Sequence, residues 1–126
     1  MKKVLHTPNS PKSVGTYNQA IESNNFIFTS GQIGIDPASN KLVEGGITKE
    51  IYQLFQNIDS ILKDSNLDRS HIIKLTVFLI DIDQFGIINE AFKEFFGSIE
   101  FPTRSMVEVS KLPMGANVEI ECIASR

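Results

Sequence analysis

The chain has 126 residues, a length that fits one domain and buries roughly two-thirds of the extended chain's surface on folding, enough for a core without disulfide or metal staples. Its make-up, 41% apolar and 21% charged with no tryptophan, is that of a folded globular protein. A formal charge of −3 offers no basic field to nucleic acid or an anionic membrane, and no apolar run reaches the length of a membrane helix.

Residues 1–16 are rich in Lys, Thr, Pro, Asn and Ser, and Pro8 and Pro11 prevent a helix, so an extended lead-in is expected. Lys2 and Lys3 lead into no apolar run, which argues against a secretory leader. The single cysteine, Cys122, cannot form an internal disulfide and fits a reducing compartment, so the expected location is the cytoplasm. His6 and His71 stand alone, without Cys or carboxylate neighbours at metal-ligand spacing, and read as surface residues.

Tyr17–Ile21 and Phe26–Ile35 have strand character, and the intervening Ser-Asn-Asn tolerates the left-handed backbone of a tight hairpin. The second strand turns small and polar at TSGQ, where Gly31 marks a bulge or a close approach to the backbone. Residues 36–46 carry the turn residues of an exposed connection. From Thr48, placed as an N-cap, Ile51, Leu54, Phe55, Ile58, Ile61 and Leu62 fall on one face of a helix of about four turns. Ile72–Ile80 is apolar at almost every position and predicts a central strand covered on both faces. Asp81 caps a second helix in which Phe85, Ile88, Phe92, Phe95 and Phe96 repeat at helical spacing, and Gly97 ends it.

The last quarter, FPTRSMVEV (Phe101–Val109) and ANVEIECIAS (Ala116–Ser125), reads as two strands of a hairpin across a Pro- and Gly-containing turn. Alternation gives one apolar row, Val118, Ile120, Cys122 and Ala124. It is expected to place Arg104, Met106, Glu119 and Ile123 together on the opposite sheet face. The resulting order, β-β-α-β-α-β-β, predicts a two-layer α+β sandwich: one mixed sheet with two helices on one face. The other face would leave apolar residues wet, and an oligomer that covers it is the economical solution.

No phosphate loop, HExxH, CxxC, GxSxG or dinucleotide fingerprint is present. Arg104, a fork suited to a carboxylate, and Glu119, an acid able to hold and activate a water, could together hydrolyse a small carboxylate-bearing molecule. On pattern alone a cross-strand ion pair on a solvated face explains the same residues.

Four motifs in register with these elements decide between the two. GTYNQA (Gly15–Ala20), TSGQIGID (Thr29–Asp36), FPTRSMVEV with its spacing to KLP (Lys111–Pro113), and VEIECIA (Val118–Ala124) together resemble the RidA (YjgF) family over nearly the whole chain. The resemblance implies a single chorismate-mutase-like domain over residues 1–126, assembled as a homotrimer with sites in the clefts between subunits. The implied activity is enamine/imine deamination, in which 2-aminoacrylate and related enamines tautomerise to 2-imino acids and are hydrolysed to 2-keto acids and ammonia.

Carried onto this chain, Arg104 holds the substrate carboxylate and Glu119 activates the attacking water. Tyr17 closes the pocket, and Ser30, Gly31 and Asn89 line it. No metal or organic cofactor is implied, and the only partners are the imino or keto acid and the other subunits. Met106 stands where many members carry cysteine, so a thiol role has no bearer here and the pocket wall is larger and more apolar. Thr16 replaces a common proline beside Tyr17. Two alternatives accompany this reading. One is a non-catalytic trimer that senses keto or carboxylic acids. The other is a ribonuclease or translation inhibitor, which the acidic charge opposes.

Overall fold

The computed structural model describes residues 1–126. Its elements are β1 (Lys3–Leu5), β2 (Ala20–Ser23), β3 (Phe26–Thr29), β4 (Ile35–Asp36), β5 (Lys41–Leu42), α1 (Gly46–Asp64), β6 (Ile72–Leu79), α2 (Phe85–Phe96), β7 (Thr103–Glu108) and β8 (Val118–Ser125). Six strands form one sheet in the order β1-β2-β3-β8-β6-β7, and β4 and β5 form a separate two-stranded ribbon. All pairings in the large sheet are antiparallel except β6 with β7, which are parallel and joined through α2. The sheet is therefore mixed, and both helices pack on one face of it.

The core lies between that face and the helices. Leu75, Val77 and Leu79 of β6 alternate toward it, as do Val118, Ile120, Cys122 and Ala124 of β8, each at most 2% exposed. Ile51, Leu54, Phe55, Ile58 and Leu62 of α1 and Ile88, Phe92 and Phe96 of α2 fill the other side. Phe55 is the hub: its ring stacks on Phe95 at 4.1 Å and meets Phe92 and Phe96 edge-on at 5.5 and 6.1 Å. Truncating it to alanine is expected to cost about 3–5 kcal/mol. No helix is long and apolar enough to cross a membrane.

Several local expectations need correction. The lead-in contributes β1, whose pairing of Val4 with Ile21 extends the sheet. The connection at 36–46 contains the β4–β5 ribbon. Helix α1 opens at Gly45 and Gly46, both in the left-handed region at φ 112 and 78, and Thr48 is not its cap. Asp81 caps a one-turn helix over Ile82–Gln84 by accepting the Asp83 N–H, and α2 follows directly. Phe85 at the start of α2 is 54% exposed and stands outside the core. The turn at Asn24 and Asn25 is left-handed as expected, at φ 50 and 67.

The largest correction concerns the last quarter. β7 and β8 are not a hairpin, because β6 lies between them, parallel to one and antiparallel to the other. Side chains alternate within each strand as expected, but each strand takes its own register from β6. Arg104 and Met106 lie opposite Leu75 and Val77, on the helix side, whereas Glu119 lies opposite Phe78 on the outer side. Arg104 and Glu119 of one chain therefore occupy opposite faces of the sheet, and the expectation that they share one is overturned. The outer face carries Phe26, Phe28 and Val107, respectively 38, 44 and 43% exposed. β6 is consequently covered by helices on one face only.

Candidate active site

The sequence-predicted residues separate into two groups. The first surrounds Glu119 on β8. Strand β3 ends at Thr29, and the chain then crosses β8 through a bridge in which Gln32 and Ile120 exchange both backbone hydrogen bonds, at 2.8 and 3.0 Å. This brings Gly31 against the Glu119 side chain so closely that a Cβ there would sit 2.8 Å from Glu119 Cδ and overlap its carboxylate. The glycine is needed for that approach. Ser30 donates its N–H to the Gln19 carbonyl at 2.8 Å and its Oγ–H to the Asn18 carbonyl at 2.5 Å. Tyr17 is 48% exposed, and its hydroxyl accepts the Val14 N–H at 3.3 Å. Tyr17, Gly31 and Glu119 line one cleft of about 260 Å³, walled by Val14, Ile33 and Met114 among others.

Burial holds the Glu119 carboxyl above the ordinary glutamate range, and the neighbouring charge of Glu121 adds to the effect. A carboxyl so placed exchanges protons nearer neutrality than a surface glutamate does. Met114, 56% exposed, is presented into the cleft from a left-handed backbone at φ 58 behind Pro113.

The second group lies on the helix side at the β7 edge. Arg104 Nη1 donates to Asn89 Oδ1 of α2 at 2.8 Å, and the guanidinium rests 5.1 Å above the Phe92 ring. Partial burial pushes its pKa down. It forms no ion pair, although four other pairs occur in the chain. Asn89, Phe92, Phe101 and Arg104 line a second cleft of about 410 Å³. A planar cation with a fixed amide beside it and no carboxylate of its own is suited to a ligand carboxylate.

Met106 belongs to neither cleft; its side chain is half-buried against the core. Cys122 is equally removed from chemistry, with its N–H bonded to Thr29 Oγ1 at 3.0 Å and burial pushing its thiol up to about 12. No three His, Cys, Asp or Glu side chains converge as a metal-ligand set.

Sequence reasoning missed Gln19. It is 2% exposed, and its amide ties down the lead-in: Oε1 accepts the Thr7 N–H at 2.8 Å, while Nε2 donates to the carbonyls of Thr7, Ser10 and Pro11 at 3.0, 3.2 and 2.8 Å. Residues 11–14 become a wall of the Glu119 cleft in consequence. The available signal was the Asn18-Gln19 amide pair next to Ala20 in an otherwise strand-like run.

Comparison with known proteins places this geometry in context. The family model Endoribonuclease L-PSP matches residues 7–126. A RutC family protein of Aquifex aeolicus is 44% identical over 121 residues, covering 95% of this chain and 96% of its own. The 2-iminobutanoate/2-iminopropanoate deaminase of Bos taurus is 42% identical over 124 residues, covering 98% and 90%. Among solved structures, YyfA of Yersinia pestis, a protein of unknown function of the conserved Rid family, superposes with a TM-score of 0.97 at 41% identity over the whole of both chains.

Proposed function

The chain belongs to the YjgF/RidA family, the one described by the Endoribonuclease L-PSP model, and from that premise we propose that it is an imine deaminase whose site forms between two copies of the chain. The substrate is a small 2-imino acid, or the 2-aminoacrylate-type enamine that precedes it, and the products are the 2-keto acid and ammonia. The carrying observation is the division of the site. Arg104 with Asn89 lies on the helix side of the sheet, and Glu119 with Gly31 and Tyr17 on the outer side. One chain thus offers a carboxylate anchor at one place and a proton-transfer carboxyl at another. A cyclic trimer that covers the apolar outer face would bring the anchor of one subunit to the carboxyl of the next.

In this arrangement Arg104 holds the substrate carboxylate and so fixes the C=N carbon. The water oxygen bonds to that carbon while Glu119 takes a water proton and delivers it to the imine nitrogen, giving a carbinolamine. Glu119 next takes the hydroxyl proton and returns it to nitrogen. The C–N bond breaks, the carbonyl forms, ammonia leaves, and Glu119 ends as it began. An imine is already electrophilic, so positioning and proton transfer suffice without further activation. The raised proton affinity of Glu119 suits it to both transfers.

The test is to add purified protein to a pyridoxal-phosphate-dependent serine or threonine dehydratase and follow keto-acid release. Acceleration that is lost in Arg104→Ala supports the proposal. Saturable keto-acid binding without acceleration would instead identify a sensor, and RNA cleavage lost in Glu119→Gln would favour the activity in the family model's name.

A further inference from the structure

Helix α1 carries a buried carboxylate that no step above uses. Glu50 is 2% exposed, has no cation partner, and places both oxygens on one residue: Oε1 accepts the Asn117 N–H at 2.8 Å and Oε2 accepts Asn117 Nδ2–H at 2.6 Å. Asn117 sits at the entry to β8, two residues before Glu119, and its carbonyl accepts the Ile80 N–H at 3.2 Å. About two turns further along the same face, Asn57 is 1% exposed and donates Nδ2–H to the carbonyls of Ile33 and Ile35 at 3.3 and 2.9 Å. The chain between these two anchors is pressed onto α1: a Cβ on Gly34 would fall 2.7 Å from Glu50 Cα. Positions 50 and 57 are seven apart, on the same side of the helix. One helix therefore grips both backbone segments that meet at the site, the start of β8 and the stretch following Gly31.

We infer that Glu50 is a positioning residue, which through Asn117 fixes the Glu119 carboxyl against Gly31. A desolvated carboxylate is retained at a cost unless its hydrogen bonds are complete. Here both oxygens are committed to a single loop, so the geometry they secure is that of β8's first residues. The inference rests on the proposed role of Glu119 but concerns only where that carboxyl is held. The charged groups facing Glu119 are Glu121 on its own strand and Lys12 across the cleft. Glu50 lies outside the cleft, and its influence is geometric.

The test compares Glu50→Ala, Glu50→Gln and Asn117→Ala in the full-length protein. The first readout is the Glu119 carboxyl titration by 13C NMR, with the resonance assigned by its loss in Glu119→Gln. The second is imine-hydrolysis kinetics. Glu50→Ala is expected to move the Glu119 titration down toward the ordinary glutamate value as the carboxyl swings into solvent. It should also lower kcat about 10- to 100-fold with KM changed less than about twofold, because the Arg104 half is untouched. Glu50→Gln is expected to stay near wild type, since a glutamine can accept the Asn117 N–H and donate to Asn117 Oδ1 once that amide turns over. Asn117→Ala keeps the main-chain bond and should fall between them; it carries the test if Glu50→Ala does not fold. An unmoved Glu119 titration in folded Glu50→Ala or Asn117→Ala, or a Glu50→Gln as impaired as Glu50→Ala, overturns the inference. If the wild type hydrolyses no imine, the functional reading fails and the NMR titration still decides whether Glu50 positions Glu119.

Discussion

Arg104 holds its charge between an amide and an aromatic ring, Asn89 and Phe92, with no carboxylate on it. Arg104→Ala is therefore expected to lower kcat/KM roughly 10- to 150-fold, the size of about 1.5–3 kcal/mol of charge-assisted hydrogen bonding. Arg104→Lys should recover only part of that, because a point charge cannot reproduce the fork. Glu119 makes the opposite kind of prediction. Its folded-state pKa lies above the unfolded value of 4.5 through burial and Glu121. Below the ordinary value both states are protonated and the group contributes nothing. As pH rises, the unfolded chain ionises first, and a penalty on the folded state grows until the raised folded value is passed. Glu119→Gln should accordingly raise the melting temperature at neutral pH, less so in acid, while cutting kcat about 10²- to 10⁴-fold. Equal melting temperatures at pH 7 would contradict the desolvated placement.

Elements decide which of these residues can meet. The helical face of α1, the Asn-Asn hairpin and the Gly97 stop were legible in the sequence, because each depends on local periodicity or backbone freedom. Phase between strands is not local. The alternation in Phe101–Val109 and in Ala116–Ser125 was visible, but the two runs are separated by β6, so their relative facing depends on two registers that neither run encodes. That is why alternation alone puts Arg104 and Glu119 on one face, whereas they stand on two. Gly31 shows the reverse: the sequence suggested a close approach without saying to what, and the answer is the Glu119 side chain. Gly31→Ala is expected to displace that carboxyl and reduce kcat at least 10-fold while the far-UV circular dichroism stays unchanged. Wild-type kcat in this variant would contradict the packing described.

At the scale of the whole molecule, one sheet face is sealed by two helices and the other presents Phe26, Phe28 and Val107 to solvent in the isolated chain. The element order and strand alternation point to an oligomer on this ground, though they assign Arg104 and Met106 to the wrong face. If the site is shared between subunits as proposed, Phe28→Glu is expected to turn an assembled species into a monomer by analytical ultracentrifugation and to abolish activity with it. The shared site is the central claim, and subunit complementation tests it most directly. Arg104→Ala and Glu119→Gln proteins, each impaired alone, are denatured, mixed in equal amounts and refolded together. If every site draws Arg104 from one chain and Glu119 from another, random assembly makes about a quarter of the sites intact, and about a quarter of wild-type activity returns. Assembly of the mixed species with no activity above that of the separate variants would contradict the account.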